Sequence, residues 1–146
     1  IELRLLAHFS LDPKLIEIFK QGKDIHAATA ASIFGVPEQE VTPEMRYRAK
    51  AVNFGIIYGQ QAWGLSQELK IDPKVAGEFI EKYFQNYPGV KNYLEKMKQE
   101  ARETKVTKTL MGRERRLPDI TASNPMIRQA QERLAVNTPL QGTNAD

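Results

Sequence analysis

The sequence predicts a mainly α-helical fold with one small β-hairpin. Proline occupies the first turn of four predicted helices, each time directly after a residue that commonly caps helix N-termini. Apolar residues then recur three and four positions apart, which is the spacing of an amphipathic helix. A segment near residue 110 instead shows two short strand patterns joined by a glycine turn. The four cap-proline pairs are Asp12-Pro13, Thr42-Pro43, Asp72-Pro73 and Asn124-Pro125.

Five of the six predicted helices end at a glycine or proline signal. In chain order the helices cover 13–19, 25–34, 43–58, 73–86, 90–101 and 125–138. Gly59 stands where a left-handed helix cap is expected, and Pro139 is expected to end the last helix. The hairpin pairs 106–110 with 115–117 around Met111-Gly112-Arg113. A strand is expected at 2–6.

Composition sets the broad class. The chain has 146 residues, of which 41% are hydrophobic and 27% are charged, as is typical of a soluble domain with a core. A net charge of +3 permits a polyanionic partner without demonstrating one. The absence of cysteine excludes disulfides and thiolate metal sites and fits a reducing compartment, so a cytoplasmic location is expected. No apolar run approaches ~18 residues, so no membrane association is expected.

The two ends do not read as natural termini. The chain begins at Ile1 without an initiator Met and stops at Asp146, shortly after Gln141-Gly142-Thr143. We therefore expect a single fragment of a longer protein.

The predicted helix at 43–59 carries the most chemical information. Arg46, Lys50, Phe54 and Tyr58 follow one another at intervals of four residues. Such residues drift by only ~40° per step on an α-helix, so these four lie within an arc of ~120°. The apolar residues of the helix centre ~150° away and can enter a core. They are Met45, Ala49, Val52 and Ile56.

The order of side chains on the polar face suits a nucleotide. Arg46 can fork onto phosphate oxygens, Lys50 acts as a point charge, and a ring one turn further can lie against a sugar or base. A plainer interpretation is also open, since basic residues commonly form a solvated face and aromatic residues at helical spacing commonly belong to a core. The aromatic residues share the cationic face, which favours the nucleotide interpretation.

The motif at 46–59 resembles motif B of the family A DNA polymerases, with Arg, Lys, Asn-Phe-Gly and Tyr-Gly at the family's spacing. The resemblance spans the whole chain, because Ile1-Glu2-Leu3-Arg4 is similar to the end of motif A. Further matching phrases are Asp24-Ile25-His26, Phe34-Gly35-Val36-Pro37, Gly112-Arg113, Arg133 and 137–143.

This resemblance implies a helical fingers subdomain with a strand remnant of the palm at its N-terminus. It divides the chain into the end of the palm motif A strand (1–11), the fingers helices (12–123) and a helix that returns towards the palm (124–146). The nucleotide-binding helix is then 43–59. The partners implied are the remainder of the polymerase palm and thumb, a DNA primer-template and a dNTP.

The resemblance also implies roles for residues that bind the incoming dNTP. Arg46 and Lys50 bind the triphosphate, and Lys50 has a catalytic role because it neutralises or protonates the leaving pyrophosphate. His26 adds a phosphate contact. Phe54 packs on the sugar and implies discrimination against dideoxynucleotides. Glu2 is the steric gate that excludes a ribose 2′-hydroxyl.

A second set of residues is expected to contact DNA. Tyr58 stacks at the templating position and moves aside when a nucleotide enters. Pro139 predicts that Gln141 lies beyond the end of the last helix, although it continues the four-residue spacing of that helix. The full DNA-binding set is Tyr58, Gly59, Gln61, Arg133, Asn137 and Gln141.

Outside the motif these residues carry little information. An isolated histidine such as His26 is more often a surface or core residue, and the basic run at 113–116 is commonly solvated.

The chain also departs from the family pattern at two places. Tyr47 stands where many relatives have Arg, and Gln60-Gln61 stands where Met-Ser is common. Both positions flank the nucleotide or template, so they bear on fidelity and template binding.

Catalysis by polymerases needs two metal ions held by carboxylates. In the family one aspartate precedes Ile1 in motif A, and the other lies in a His-Asp-Glu motif beyond Asp146. Two Mg²⁺ ions are thus expected in the intact enzyme, with ligands outside this chain, and no metal ligand is assigned within it. Asp12 and Asp72 are explained as helix caps. The chain alone is expected to be inactive.

Two further function classes stay open from the sequence. A non-catalytic helical module that binds nucleic acid or nucleotides would show salt-dependent DNA binding without turnover. A purely structural module would show neither property.

Overall fold

The computed structural model describes residues 1–146, and most of them lie in helices. The helices are α1 (Glu2–Ser10), α2 (Pro13–Lys20), α3 (Ile25–Phe34), α4 (Pro43–Ile57), α5 (Ala62–Leu69), α6 (Pro73–Asn86), α7 (Pro88–Thr104), α8 (Pro125–Asn137) and α9 (Thr143–Ala145). A 3₁₀ turn covers Glu38–Glu40 and a π-helix covers Thr138–Gly142. The hairpin pairs β1 (Val106–Lys108) with antiparallel β2 (Glu114–Arg116). The predicted mainly α fold and its hairpin are confirmed.

The predicted helix starts are confirmed at the level of individual hydrogen bonds. The side chains of Asp12, Thr42, Asp72 and Asn124 each accept a backbone N–H from the first turn of the following helix. These bonds satisfy donors that have no partner inside the helix. Gly59 has a φ of +71°, as expected for the cap after α4.

The expected N-terminal strand is wrong, because residues 2–10 form α1. Leu3, Leu6 and Ala7 are buried, and their spacing of three and four matches a helix rather than a strand. A strand also needs a partner, whereas the hairpin is the only sheet in the chain. The assignment of 1–11 to a palm strand is corrected accordingly.

The expected end of the last helix at Pro139 is also wrong. Helical backbone continues from α8 through a π-helix over Thr138–Gly142 and into α9, so Gln141 lies within helical structure. Proline lacks an N–H but its fixed φ is compatible with a helix. The wider π turn accommodates the lost hydrogen bond, and the helix changes type instead of stopping.

Helix α5 was not predicted. Its signal in the sequence is short, consisting mainly of Leu65 and Leu69 four residues apart, and its N-terminus has no side-chain cap. It packs mainly against α6, and Leu65 is buried there. Tertiary burial rather than local propensity stabilises this eight-residue helix.

The main core lies between the helices of the N-terminal two thirds of the chain. The most extensive helix pair is α3 with α4, followed by α5 with α6. Tyr83 and Tyr87 are fully buried, with ring centroids 4.8 Å apart. A smaller core beneath the hairpin contains Leu117 and Ile120. No helix is both long and apolar enough to cross a membrane.

Asp12 joins two helix starts that are far apart in sequence. Its Oδ1 accepts hydrogen bonds from Lys14 N and Leu15 N at the start of α2, both at 3.1 Å. Its Oδ2 accepts a 2.8 Å hydrogen bond from Gly89 N at the start of α7. The carboxylate is fully buried, so all three donors depend on it.

We therefore expect Asp12→Ala to lower the free energy of unfolding by about 2–4 kcal/mol, because the cap is lost and the Gly89 N–H loses its acceptor. Asp72→Ala is the matched control, since Asp72 is an exposed cap that accepts only from Lys74 N. It should cost about 1 kcal/mol. Urea unfolding of both variants measures the difference, and equal losses would contradict the linking role of Asp12.

Candidate functional site

The polar face of α4 is exposed as the sequence predicts. Arg46, Lys50 and Tyr58 are exposed and Phe54 is half-buried, whereas the opposite face enters the core. Tyr58 follows the last residue of the helix and continues the row. We call Arg46, Lys50, Phe54 and Tyr58 the polar row. The buried residues of α4 are Ala49, Ala51, Val52, Asn53, Gly55, Ile56 and Ile57.

Arg46 is held by the carboxylate of Asp24, the residue directly before α3. Its Nε lies 2.7 Å from Oδ2 of Asp24 and its Nη2 lies 3.4 Å from Oδ1. Asp24 also caps α3 by accepting from the N–H groups of His26 and Ala27. The hydrogen bond from Arg46 holds the pKa of Asp24 below its ordinary value. Both side chains are 45% exposed, so the pair is screened by water and exchangeable.

His26 and the two rings of the polar row form a continuous aromatic surface. The His26 and Phe54 ring centroids lie 5.8 Å apart with a 45° tilt. The Phe54 and Tyr58 rings are stacked 6.4 Å apart at 21°. Burial lowers the pKa of His26, and the nearby cations of Arg46 and Lys50 lower it further against the opposing effect of Asp24. This surface therefore combines positive charge with flat rings.

A buried hydrogen-bonded link lies beneath this surface. Asn53 Nδ2 lies 2.9 Å from His26 Nδ1, and Asn53 Oδ1 accepts a 3.2 Å hydrogen bond from Thr29 Oγ1. Thr29 and Asn53 are fully buried between α3 and α4. Thr29 Oγ1 also lies 3.5 Å from the hydroxyl of Tyr87. The link fixes α4 to α3 at the level of Phe54.

Three residues of the predicted DNA-binding set surround one cavity. Gly59, Gln61 and Arg133 line a cavity of about 390 Å³ together with exposed Trp63. Gly59 approaches α8 so closely that an added Cβ would lie 3.0 Å from Cγ of Arg133 and 3.2 Å from its Cα. The C-terminal end of the polar row is thus in close contact with Arg133 of α8 at Gly59.

The remaining predicted site residues are placed differently. Asn137 donates a 3.0 Å hydrogen bond from Nδ2 to Ile57 O, so here its amide holds the C-terminus of α4. Gln141 lines a separate cavity beside the hairpin with Asn137 and Arg115. Glu2 is half-buried on α1. No hydrogen bond, ion pair or ring contact joins Glu2 or Gln141 to the polar row in this structure.

No three histidine, cysteine, aspartate or glutamate side chains come together in a way that could hold a metal ion. Asp24 and Asp146 form ion pairs with Arg46 and Arg113. The chemistry that this site supplies is therefore positive charge, aromatic surface and hydrogen-bond donors.

Comparison with known proteins decides the family. The family model described as DNA polymerase family A matches residues 1–146, which is the whole chain. The chain belongs to DNA polymerase family A. Its polar row lies in the segment 46–59 that resembles motif B of this family.

Individual relatives agree with this assignment. The chain is 54% identical to DNA polymerase I of Bacillus caldotenax and 50% identical to the thermostable DNA polymerase I of Thermus aquaticus, in each case over all of its 146 residues. It covers 17% and 18% of their lengths, so it corresponds to a small part of each.

A solved structure of a family member has the same fold. The POL domain of Pol1 from M. smegmatis, in complex with DNA primer-template and dNTP, superposes with a TM-score of 0.92 at 46% identity. The match covers 99% of this chain and 26% of that one. This similarity supports the assignment of a helical fingers fragment of a polymerase domain.

Sequence reasoning missed two residues of the site. Asp24 matches a family phrase, but an aspartate directly before a predicted helix also indicates an N-cap. Asn53 belongs to the motif, but its full burial was not foreseen. A polar residue beside Val52 on the core side of the helix was the available signal. Both residues act beneath the exposed row.

We expect Gly59→Ala to lower the free energy of unfolding by about 2–4 kcal/mol, because it combines a positive φ with the contact on Arg133. Gly35→Ala is the matched control, since Gly35 has nearly the same φ, +67°, and nothing within 4 Å of the added Cβ. It should cost about 1–2 kcal/mol. Denaturant titration of both variants tests this, and equal costs would show that the α8 contact adjusts freely.

We expect the chain to lose stability as the pH falls below 6.5, the ordinary pKa of histidine. The lowered pKa of His26 means that the unfolded chain binds this proton first, so the free energy of unfolding declines until the folded state is protonated too. His26→Gln should remove this part of the dependence, and His8→Gln should retain it. Urea unfolding between pH 5 and 8 provides the measurement; an unchanged slope in His26→Gln would contradict the assignment.

Proposed function

We propose that the intact protein is a template-directed DNA polymerase, which adds deoxynucleotides to a primer 3′ end in DNA replication or repair. Within it, this segment binds the incoming dNTP and the templating base. The observation that carries the proposal is the exposed polar row on motif B of a family A chain, with His26 beside it. The M. smegmatis relative, whose structure contains primer-template and dNTP, supports the same ligands.

The cationic end of the row suits the triphosphate. Arg46 offers a planar fork for phosphate oxygens once it leaves Asp24, and Lys50 one turn away has no carboxylate partner. No salt bridge of the chain involves Lys50, so its ammonium is available to neutralise or protonate a leaving pyrophosphate. His26 lies close enough for both cations to lower its pKa, which supports a shared role of the three groups in binding an anion.

The aromatic end of the row suits the sugar and the base. Phe54 is supported by His26 on one side and Tyr58 on the other, so its ring presents a fixed apolar edge to a sugar. Tyr58 is 42% exposed and can stack on a templating base or turn away. Gly59, Gln61 and Arg133 line the adjoining cavity, where a template strand can continue.

The other roles rest on the family pattern. Glu2 is the proposed steric gate, and Asn137 and Gln141 are proposed primer-template contacts. Asn137 would have to exchange its bond to Ile57 O for such a contact. A cytoplasmic location is proposed with the DNA partner.

The metal chemistry belongs to the rest of the enzyme. The chain's carboxylates do not form a metal-binding cluster, so its residues do not fit a pair of Mg²⁺ ions. We propose that both ions are held by carboxylates of the palm outside residues 1–146. The role of this segment is then to bind and orient the nucleotide.

The proposal predicts that the 146-residue chain alone extends no primer, because it lacks the metal-binding carboxylates. A chimera of Bacillus caldotenax DNA polymerase I, with its matching segment replaced by this chain, should extend primers with Mg²⁺. Lys50→Ala should reduce chimera activity by about 10²-fold or more, since it removes a charge at the leaving group. The measurement is a gel-based primer-extension assay.

Lys82→Ala provides the matched control, because Lys82 is exposed on α6 and no hydrogen bond or ion pair joins its side chain to the polar row. It should leave extension unchanged. Extension by the isolated chain would refute the inactivity prediction. A folded but inert chimera that still binds DNA in a salt-dependent manner would favour the non-catalytic module instead.

A further inference from the structure

We propose that Asn53 is a positioning residue, which keeps the neutral imidazole of His26 in the form that carries its hydrogen on Nε2. The ring then offers an N–H donor to a phosphate oxygen of the bound nucleotide. This inference deepens the proposed nucleotide-binding function and rests on it. The juxtaposition that carries it is the buried Thr29–Asn53–His26 link.

The link assigns hydrogens through the chemistry of its groups. Asn53 Oδ1 accepts from Thr29 Oγ1, so the Nδ2 end of the amide faces His26 Nδ1 at 2.9 Å. An amide nitrogen can only donate, so Nδ1 must be the acceptor and carry no hydrogen. The single hydrogen of the neutral ring therefore lies on Nε2. Nε2 makes no hydrogen bond within the chain. It is also not one of the buried polar atoms that lack a partner.

Burial makes this arrangement persistent. Asn53 and Thr29 are fully buried between α3 and α4, so neither side chain can exchange its partner for water. An amide turned by half a rotation would present Oδ1 to the ring and place the hydrogen on Nδ1. The two amide orientations thus predict opposite tautomers of His26, so a measurement of the tautomer tests the inference.

The tautomer matters because of the groups around the ring. Arg46 and Lys50 from α4 and Asp24 from the start of α3 are the charged groups that act on His26. The two cations already supply positive charge, so a neutral ring need contribute only a hydrogen bond. A ring with its lone pair on Nε2 would repel a phosphate oxygen, whereas an Nε2–H binds it.

The first test is ¹⁵N NMR of the histidine side chains in the 146-residue chain above neutral pH. His8→Gln identifies the His26 signals, since the chain has only two histidines. We expect the shift of an unprotonated nitrogen at Nδ1 and of a protonated one at Nε2. Asn53→Asp should move the hydrogen to Nδ1 and raise the midpoint of the His26 titration. A wild-type hydrogen on Nδ1, or an unchanged tautomer in Asn53→Asp, would overturn the inference.

The second test is kinetic and uses the Bacillus caldotenax chimera. In Asn53→Asp the KM for dNTP should rise by about tenfold at alkaline pH, where the ring is neutral and has lost its outward N–H. It should fall back as the ring becomes doubly protonated, and this pH-dependent part should disappear in the His26→Gln background. A rise in KM that is the same at every pH would show a merely structural role and overturn the inference.

Asn53→Leu, which removes the link without reversing its polarity, should lack the pH-dependent rise in KM.

The two tests distinguish failure of the proposed function from failure of the inference. If NMR finds the expected tautomer but the chimera is inert, the proposed polymerase function fails. If the chimera is active but NMR finds the hydrogen on Nδ1, the positioning role of Asn53 fails.

Discussion

The rotation of α4 about its own axis is the constraint on which the candidate site depends. Side chains four residues apart drift slowly around a helix, so a turn of about 100°, one residue's worth, would carry the polar row out of position. Burial of Ala49, Val52 and Ile56 favours the observed rotation but tolerates small changes, because apolar contacts have no preferred direction. The hydrogen bonds of Asn53 are directional, and they select one rotation at the level of Phe54.

The same helix pair shows how local capping chemistry contributes to the site. Asp24 stabilises the start of α3 through two backbone N–H groups, and that position brings its carboxylate to Arg46. His26 lies in the first turn that Asp24 caps, so the cap also sets where the imidazole meets α4. One aspartate thereby connects helix initiation, the arginine of the polar row and the histidine beside it.

Helix caps and residue spacing in the sequence correctly predicted the helices and the exposed face that depend on them. The caps at Asp12, Thr42, Asp72 and Asn124 gave four helix starts, and the four-residue spacing in α4 gave the exposed row. Errors arose where tertiary context decides. Residues 2–10 form a helix because Leu3, Leu6 and Ala7 are buried on one face, and Pro139 is accommodated in a π-helix packed against α1 and β1. The link from His26 to Asn53 joins residues 27 positions apart, which no local pattern reports.

Under the proposed nucleotide-binding function, the ion pair of Arg46 and Asp24 favours ligands that carry several negative charges. Because both side chains are half exposed, the pair contributes little stability and a ligand can displace it. A single weak anion would gain little by replacing an existing carboxylate. A polyphosphate gains Lys50 and His26 in the same step, so the exchange favours ligands with several anionic groups. Asp24 keeps its two backbone donors when Arg46 leaves, and α3 therefore need not unfold when the guanidinium changes partner.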